Sequence, residues 1–277
     1  MIIYNPKTNK LDWSKLKNIP EIYRLNEIPQ NEKWHKEGNA YIHTCAVTQA
    51  MIDYINFSDN PKLLDEDYRQ ILVFAALFHD IGKYKTTYSG EDGLYHCPNH
   101  AQESINIINE IFDLYDLGIH DMLKDSIISL VRYHMHPLYL SLDVYFTKKM
   151  YKLMNKLNKI SFEELLILKR CDIEGSINDE IENSLQYLDI IESRYKENYI
   201  TSGCKVKIKK IKSLKYQDGH PNDINEGYIA EGILFVPVTI GWRTYVGKNF
   251  STSPVTKIID KNHFQTENSI YEIIELE

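Results

Sequence analysis

The octapeptide ALFHDIGK, at residues 76–83, decides the fold because it places a histidine and an aspartate at the end of an apolar helix. From about Asp67, apolar residues recur every three or four positions, which is typical of a helix with a buried face. His79 lies on that face and Asp80 follows it. Gly82 then predicts the end of the helix, since glycine is the usual residue after a helical C-terminus.

Four more histidines and acids fall on inward faces or near the ends of other predicted helices. His43 lies on the apolar stripe of one helix, and His100 falls in the first turn of another. His134 closes the helix in DMLKDSIISLVRYHMH, and Asp172 lies near the end of the helix in SFEELLILKRCDIEG. Imidazoles and carboxylates suit Zn, Mn, Fe or Co, and a helical bundle can bring them together. Taken singly, each residue has a purely structural explanation, so a metal site requires that they converge.

Three helix starts carry local capping signals. Asn39 can cap the helix that contains His43, and Ser161 with Glu164 matches the S-x-x-E capping box. Asn99 and Gln102 make a further capping pair. With helices near residues 144–157 and 178–198, six or seven helices are expected to cover most of residues 39–198.

Beyond Gly203 the pattern changes from helical to strand-like. CKVKIK alternates lysine with apolar residues, and YIAEGILFVPVTI is rich in residues that favour strands. We therefore expect an N-terminal extension over residues 1–34, a helical domain over residues 35–200, and a small β-rich domain over residues 201–277. Its short strands predict a barrel or a sandwich.

The composition is that of a globular protein from a reducing compartment. The 277 residues are 43% hydrophobic and 26% charged, and the net charge of −7 argues against a generally basic nucleic-acid-binding surface. The four cysteines form no C-x-x-C pair, which fits the cytoplasm. The N-terminal stretch MIIYNPKTNKLDW lacks the basic-then-apolar pattern expected of a signal sequence, and the longest apolar run is far below the ~20 residues that span a bilayer. We expect a cytoplasmic protein without a membrane segment, and the oligomeric state is not predicted.

The segment from Lys205 to Lys215 is the one basic stretch that could contact RNA. It holds six lysines and no acid, so it could follow a phosphate backbone. The alternative is an edge strand whose lysines prevent pairing with other chains. The pattern favours the edge strand slightly.

The ordered set His43, His79–Asp80, His100, His134 and Asp172 resembles the signature of the HD-domain metal-dependent phosphohydrolase superfamily, over roughly residues 35–175. More narrowly, WHKEGNAYIHT, ALFHDIGK, PNHAQES, SLVRYHMHPL and ELLILKRCDIEG resemble, in order, the HD domain of bacterial CCA-adding tRNA nucleotidyltransferases. The implied fold class is mainly α, an HD-domain helical bundle followed by the small C-terminal β-rich domain.

The resemblance also implies a metal centre with one or two divalent transition-metal ions, Mn, Ni, Co, Fe or Zn. The first ion would be held by His43, His79, Asp80 and Asp172. A second ion would share Asp80 as a bridge and take His100 and His134.

Three further residues acquire roles from the same resemblance. Lys83 would face the substrate phosphate as a catalytic residue beside Asp80, since a lysine supplies a point charge there. His35 and Glu37 match the motif upstream of His43 and would bind substrate in the pocket. A solvated surface lysine is the alternative for Lys83, and polar loop residues are the alternative for His35 and Glu37.

The function that the resemblance implies is hydrolysis of phosphate esters of nucleotides or RNA ends, of the 2′,3′-cyclic phosphodiesterase or phosphatase type. The nucleotidyltransferases carry an upstream catalytic head, whereas only 34 residues precede His35. We therefore expect a separate hydrolytic module without CCA-adding activity. The alternatives are a nucleoside triphosphohydrolase, a cyclic (oligo)nucleotide phosphodiesterase, a redox-active di-iron protein, or a nucleic-acid-binding module with a structural metal.

Overall fold

The fold is given by a computed structural model. It describes residues 2–142, 146–157, 160–197, 205–215, 224–234, 238, 243–246, 250–260 and 262–275. By the contacts among residues, the chain divides into two compact units. One comprises Met1–Tyr139 with Leu153–Asp189, and the other comprises Leu140–Lys152 with Ile190–Glu277.

Helices dominate the first two hundred residues. In chain order the α-helices of the described residues are α1 (Pro20–Tyr23), α2 (Ala40–Phe57), α3 (Glu66–Phe78), α4 (Lys83–Thr86), α5 (His100–Leu114), α6 (Lys124–Tyr133), α7 (Phe146–Met154), α8 (Phe162–Glu174) and α9 (Ile181–Glu197). Two short ribbons accompany them, β1 (Tyr4–Asn5) paired with β2 (Lys10–Leu11), and β3 (Tyr88–Ser89) paired with β4 (Tyr95–His96). No helix among these described residues is both long enough and apolar enough to cross a membrane.

Helix α3 lies at the centre of the first unit. It packs against α2, α6 and α8, and every residue from Leu72 to Phe78 is buried. A helix that is apolar on all sides belongs to the core of its domain. The C-terminal end of α3 therefore carries His79 and Asp80 into the interior.

Two of the three predicted caps are confirmed. Asn39 accepts a hydrogen bond from the backbone N–H of Ile42 at 3.0 Å, and the backbone N–H of Ser161 donates to Glu164 at 2.6 Å. The cap at Asn99 is wrong, because its side chain makes no capping hydrogen bond. Its φ of 56° is left-handed, not the extended backbone from which an asparagine side chain caps a helix.

The role predicted for Gly82 is also wrong. Helix α3 ends at Phe78, and Gly82 has a right-handed φ of −69°. A β-carbon there would lie 2.5 Å from the backbone N of Ser104 and would clash with the carbonyl oxygen of His100. The glycine is needed because the turn after α3 presses against the first turn of α5, and this contact brings Asp80 beside His100.

The second unit contains a curled antiparallel sheet. Its strands are β5 (Lys205–Ser213), β6 (Ile229–Ile233), β7 (Arg243–Val246), β8 (Phe250–Ile258), β9 (His263–Thr266) and β10 (Ser269–Glu275). Within the described residues they follow the order β6-β5-β10-β9-β8-β7, and Val206, Ile208, Phe264 and Ile273 fill the core. A bridge between Leu234 and Val246 joins the two edge strands, β6 and β7. The predicted fold class is confirmed, and the β-rich part is a half-barrel.

The interpretation of the lysine-rich segment as an edge strand is wrong. Strand β5 pairs with β10 on one side and with β6 on the other, so it lies inside the sheet. Its lysines have different environments, since Lys210 is buried, Lys207 lies 3.5 Å from Glu231, and Lys212 is exposed. The register that places β5 in the middle depends on strands far along the chain, which a local pattern does not report. Contact of this segment with RNA stays a prediction.

Candidate metal centre

Three histidines are held in one tautomer by hydrogen bonds to backbone carbonyl groups three residues earlier in the chain. The Nδ1 atoms of His79, His100 and His134 lie 2.8, 2.9 and 2.7 Å from the carbonyl oxygens of Ala76, Cys97 and Val131. Because a carbonyl oxygen only accepts, each Nδ1 must carry the hydrogen. Each neutral ring therefore presents Nε2 as a lone pair.

The Nε2 nitrogens of these three rings and of His43 meet in pairs. His79 Nε2 lies 3.3 Å from His43 Nε2, and His100 Nε2 lies 3.3 Å from His134 Nε2. Two neutral acceptors at this distance repel each other unless a proton or a metal ion lies between them. The convergence therefore indicates a cation-binding site.

Asp80 lies between the two histidine pairs and turns one oxygen to each. Its Oδ2 is 3.2 Å from His79 and 3.6 Å from His43. Its Oδ1 is 3.2 Å from His100 and 3.8 Å from His134. The Asp80 carboxylate is therefore close to both histidine pairs.

Asp172, on α8, completes the group around His43. Its Oδ1 lies 3.1 Å from His43 Nε2 and 3.7 Å from His79 Nε2. Its Oδ2 accepts a hydrogen bond from Lys169 at 2.6 Å. Two ligand sets of three result, each compact enough to hold one ion: His43, His79 and Asp172, and Asp80, His100 and His134.

Burial and neighbouring charges set the protonation states that ligands need. Burial lowers the pKa of His134 well below its ordinary value, and it lowers the pKa of His100 as well. Burial would raise the pKa of Asp80 and Asp172, but neighbouring groups outweigh it and hold both well below the usual range. These groups are the His79 ring and the Lys83 ammonium group beside Asp80, and chiefly the Lys169 ammonium group beside Asp172. These imidazoles are therefore neutral and both carboxylates are ionised near neutral pH.

His43 differs from the other histidines because acids face both of its nitrogens. Its Nδ1 lies 3.0 Å from Glu37 Oε1, and its Nε2 faces Asp172. Burial alone would lower the pKa of His43, but these two carboxylates raise it to about 9. An ion that bound at Nε2 would have to displace a proton.

Glu37 and His35 lie on the outer side of His43. Glu37 Oε1 is 2.8 Å from His35 Nδ1, and its Oε2 accepts from the backbone N–H of Ile177 at 2.9 Å. Burial would raise the pKa of Glu37, but hydrogen bonds from His35 and His43 lower it. The same three residues could also hold an ion themselves. Because both His35 and His43 lie within 3.0 Å of Glu37 Oε1, we interpret Glu37 as a carboxylate that orients a ligand histidine rather than as a ligand.

Lys83 is buried. Its Nζ lies 2.6 Å from Asp80 Oδ2 and donates to Gln30 Oε1 at 2.7 Å. Burial would lower the pKa of Lys83, but Asp80 raises it, so the ammonium group is retained. A solvated surface lysine, the alternative that the sequence left open, does not describe this residue.

A cavity of about 590 Å³ opens over these groups. Of the residues that the sequence singled out, the cavity wall includes His35, Asp80, Lys83, His100, His134 and Asp172. His43, His79 and Glu37 are not part of that wall and lie behind it.

Sequence reasoning missed several residues of the cavity wall. Lys169 and Gln30 lie deep in it, and Trp34, Tyr95 and Tyr139 supply partly exposed aromatic rings. His96 lies on β4 and also lines the cavity. A lysine three residues before Asp172 on one helix could have been noticed, but no sequence pattern singles out Gln30.

The donor set fits divalent transition metals. Neutral imidazole nitrogens and carboxylate oxygens suit Mn, Fe, Co, Ni and Zn, and the tautomers leave Nε2 free on three rings. Metal-bound histidines usually donate their other N–H to a carbonyl or carboxylate. His79, His100 and His134 donate to carbonyl oxygens here, and His43 Nδ1 lies 3.0 Å from the Glu37 carboxylate. The arrangement can therefore hold cations beside a cavity that admits a small anionic molecule.

Comparison with known proteins agrees with this geometry. Residues 41–173 match the family model of the HD domain, so the resemblance predicted from the sequence is confirmed. The chain is 30% identical over 118 residues to the multifunctional CCA protein of Actinobacillus pleuropneumoniae serotype 5b, which is 43% of this chain and 26% of that protein. It is 32% identical over 117 residues to the protein of that name from Thioalkalivibrio sulfidiphilus, which is 42% of this chain and 24% of that protein. The matched part spans about a quarter of the length of these relatives.

Proposed function

We propose, from the HD domain at residues 41–173, that this protein is a metal-dependent phosphohydrolase acting on phosphate esters of nucleotides or RNA ends. The observation that carries the proposal is the position of Asp80. Its two oxygens face two separate histidine pairs, and it also lines the cavity. This is the arrangement that hydrolysis at one or two metal ions requires.

The residues divide into two ligand groups. We assign His43, His79, Asp80 and Asp172 to a first ion, and His100 and His134 with Asp80 to a second. The ions, when bound, would supply water activation at neutral pH and neutralise charge on the phosphoryl group. The Mn, Ni, Co, Fe or Zn that the sequence predicted all suit these ligands.

Two residues of the cavity wall would act on the substrate directly. The Lys83 ammonium group, held between Asp80 and Gln30, would stabilise negative charge on a phosphoryl oxygen. His35, whose Nδ1 faces Glu37, would turn its other nitrogen to the ester. Glu37 would contribute by orienting His35 and His43.

The wall of the cavity supports a nucleotide monoester or cyclic diester as substrate. Aromatic side chains such as Trp34, Tyr95 and Tyr139 offer faces on which a base can stack. In the part of the wall that the structure describes, the only lysine or arginine side chains are Lys83 and Lys169, and each already pairs with an aspartate. A triphosphate carries more charge than two such lysines can match, which makes the triphosphohydrolase alternative weaker.

The test uses Mn²⁺-loaded protein with 2′,3′-cyclic AMP, 2′-AMP and a chromogenic phosphodiester. We expect turnover of at least one substrate, and we expect Asp80→Asn to lower it by at least about 1,000-fold, since it removes the carboxylate common to both groups. Glu164→Gln, which changes a buried carboxylate outside the cavity wall, should keep its activity. Turnover that is unchanged in Asp80→Asn would reject the site.

Product analysis separates the remaining alternatives. Release of pyrophosphate or triphosphate from a nucleoside triphosphate would replace the phosphomonoester assignment, and cleavage of a cyclic dinucleotide would indicate a signalling substrate. Metal analysis under anaerobic conditions would reveal a di-iron centre. Salt-sensitive RNA binding that Asp80→Asn leaves intact, without any hydrolysis by the parent protein, would favour a nucleic-acid-binding module.

A further inference from the structure

Gln30 is a buried amide whose orientation is fixed by a neighbour. The residue is 7% exposed, and its Oε1 accepts a hydrogen bond from Lys83 Nζ at 2.7 Å. The two ends of an amide are otherwise hard to distinguish. An ammonium group only donates, however, so the oxygen must face Lys83 and the NH2 group must point elsewhere.

The NH2 group of Gln30 has no partner among the residues that the structure describes. Its Nε2 is buried and makes no hydrogen bond to any residue that the structure describes. A buried donor that stays unpaired costs free energy, so such groups call for an explanation. Gln30 lines the same cavity as Asp80 and His100, and an acceptor on a bound ligand would satisfy it.

The backbone around Gln30 is anchored. A bridge between Pro29 and Asn39 closes the segment at its base, and the backbone N–H of Ala40 donates to Ile28 at 2.9 Å. The segment is also anchored farther along the chain, because the backbone N–H of Lys36 donates a hydrogen bond to the carbonyl oxygen of Ile177 at 2.7 Å. The donor is therefore held in place before a ligand arrives, which reduces the entropy lost on binding.

We propose that Gln30 and Lys83 form a phosphate subsite, in which the Gln30 amide donates to one non-bridging phosphoryl oxygen and Lys83 faces another. Phosphoryl oxygens accept hydrogen bonds and carry negative charge, so a neutral donor beside an ammonium group complements them. This inference rests on the proposed function, because it places the phosphate next to Asp80. It gives Gln30 a direct contact with the substrate.

The experiment measures the affinity of Mn²⁺-loaded protein for inorganic phosphate by isothermal titration calorimetry, together with metal content. Gln30→Leu removes both ends of the amide, whereas Gln30→Glu keeps an acceptor for Lys83 and removes the donor. Gln70→Leu is the matched control, because Gln70 is similarly buried and lies on α3 outside the cavity wall. Its Oε1 also makes no hydrogen bond within the described part of the chain.

We expect Gln30→Leu to weaken phosphate binding roughly 10- to 100-fold, the range for a hydrogen bond to a charged group, with unchanged metal content. Gln30→Glu should weaken it at least as much, and Gln70→Leu should not change it. The KM for a phosphodiester should rise in parallel.

Three outcomes of the phosphate titration would overturn the subsite. The first is wild-type phosphate affinity in Gln30→Leu. The second is wild-type affinity in Gln30→Glu together with a loss in Gln30→Leu, which would assign Gln30 to orienting Lys83. The third is no phosphate binding by the parent protein. Turnover with an unchanged KM in Gln30→Leu would reject the subsite but support the proposed function. Phosphate binding that depends on Gln30, in a protein that hydrolyses no substrate, would support the subsite but reject the proposed function.

Discussion

Replacing Asp172 by asparagine tests the metal centre, and helix α8 supplies a matched control. Asp172 Oδ1 lies 3.1 Å from His43, and its Oδ2 lies 2.6 Å from Lys169. Glu164, on the same helix, is also buried and accepts a hydrogen bond from Lys62 at 2.9 Å, but it is not part of the cavity wall. Asp172→Asn and Glu164→Gln each remove a buried carboxylate paired with a lysine, and only the first removes a candidate ligand.

The two variants should differ already in protein treated with EDTA. Asp172→Asn leaves the buried Lys169 without its carboxylate, which typically costs about 3–5 kcal/mol. Glu164→Gln should cost less, roughly 1 kcal/mol, because the Lys62 side chain is 45% exposed and keeps Glu163 at 2.8 Å. This loss measures the ion pair and does not yet report on metal binding.

The increment in stability on adding metal is the decisive quantity. At an Mn²⁺ concentration of about 100 times the Kd, binding stabilises the native state by about 2.7 kcal/mol. For a unit of this size, that corresponds to a rise in Tm of roughly 5–10 °C. Loss of a ligand should weaken binding at least about 100-fold, since loss of a residue that only supports a ligand already costs about 10–100-fold. The increment at the same concentration then falls to about 0.4 kcal/mol, a rise of only about 1 °C.

Thermal unfolding followed by circular dichroism, with EDTA and with MnCl₂, gives both quantities for each variant. We expect the parent protein and Glu164→Gln to gain equally from Mn²⁺, and Asp172→Asn to gain almost nothing. An equal gain in all three proteins would show that Mn²⁺ binds elsewhere. An equal loss in both variants would show that the assay reports general destabilisation.

Two further predictions concern the turn after α3 and the proton on His43. Gly82→Ala should destabilise the protein by roughly 1–3 kcal/mol in urea denaturation and reduce its response to Mn²⁺, because the new methyl group would push α5 away from Asp80. Gly93→Ala, at a φ of +75° with open space around it, should lower stability without changing the response to Mn²⁺. Because the pKa of His43 is raised to about 9, an ion must displace its proton below that pH. Mn²⁺ affinity, measured by competition with a chelator, should therefore rise about tenfold per pH unit between pH ~7 and ~9 and then level off, whereas a flat profile would exclude His43 as a ligand.

Features of the fold that depend on neighbouring residues were predictable from the sequence. The caps at Asn39 and Ser161 hold because each joins a side-chain oxygen to a backbone N–H three residues away along the chain. Asn99 carries the same composition signal, but its left-handed backbone removes the geometry that the signal assumes. Helix periodicity likewise placed His79 at the end of a buried helix.

Features that depend on distant residues were not predictable. Gly82 is required by a contact with Ser104, and β5 is an inner strand because β10, some sixty residues later, pairs with it. The orientation of the Gln30 amide is fixed by Lys83, which is 53 residues away along the chain. In each case the local sequence gives no signal, and the contact with a distant part of the chain determines the role of the residue or strand.

The charges of the site explain why lysines lie so close to its acids. Asp80 and Asp172 each direct one oxygen at a lysine, Lys83 and Lys169, so two buried anions are balanced by two buried cations. Glu37 similarly faces His43, whose raised pKa keeps it protonated near neutral pH. Without these partners, burial of the carboxylates would cost several kcal/mol each. An ion that replaced one proton on His43 would leave this balanced set with a net charge of about +1, which favours a phosphate anion in the cavity. The lysines thus allow the acids to be buried and would also give a metal-loaded site an attraction for an anionic ligand.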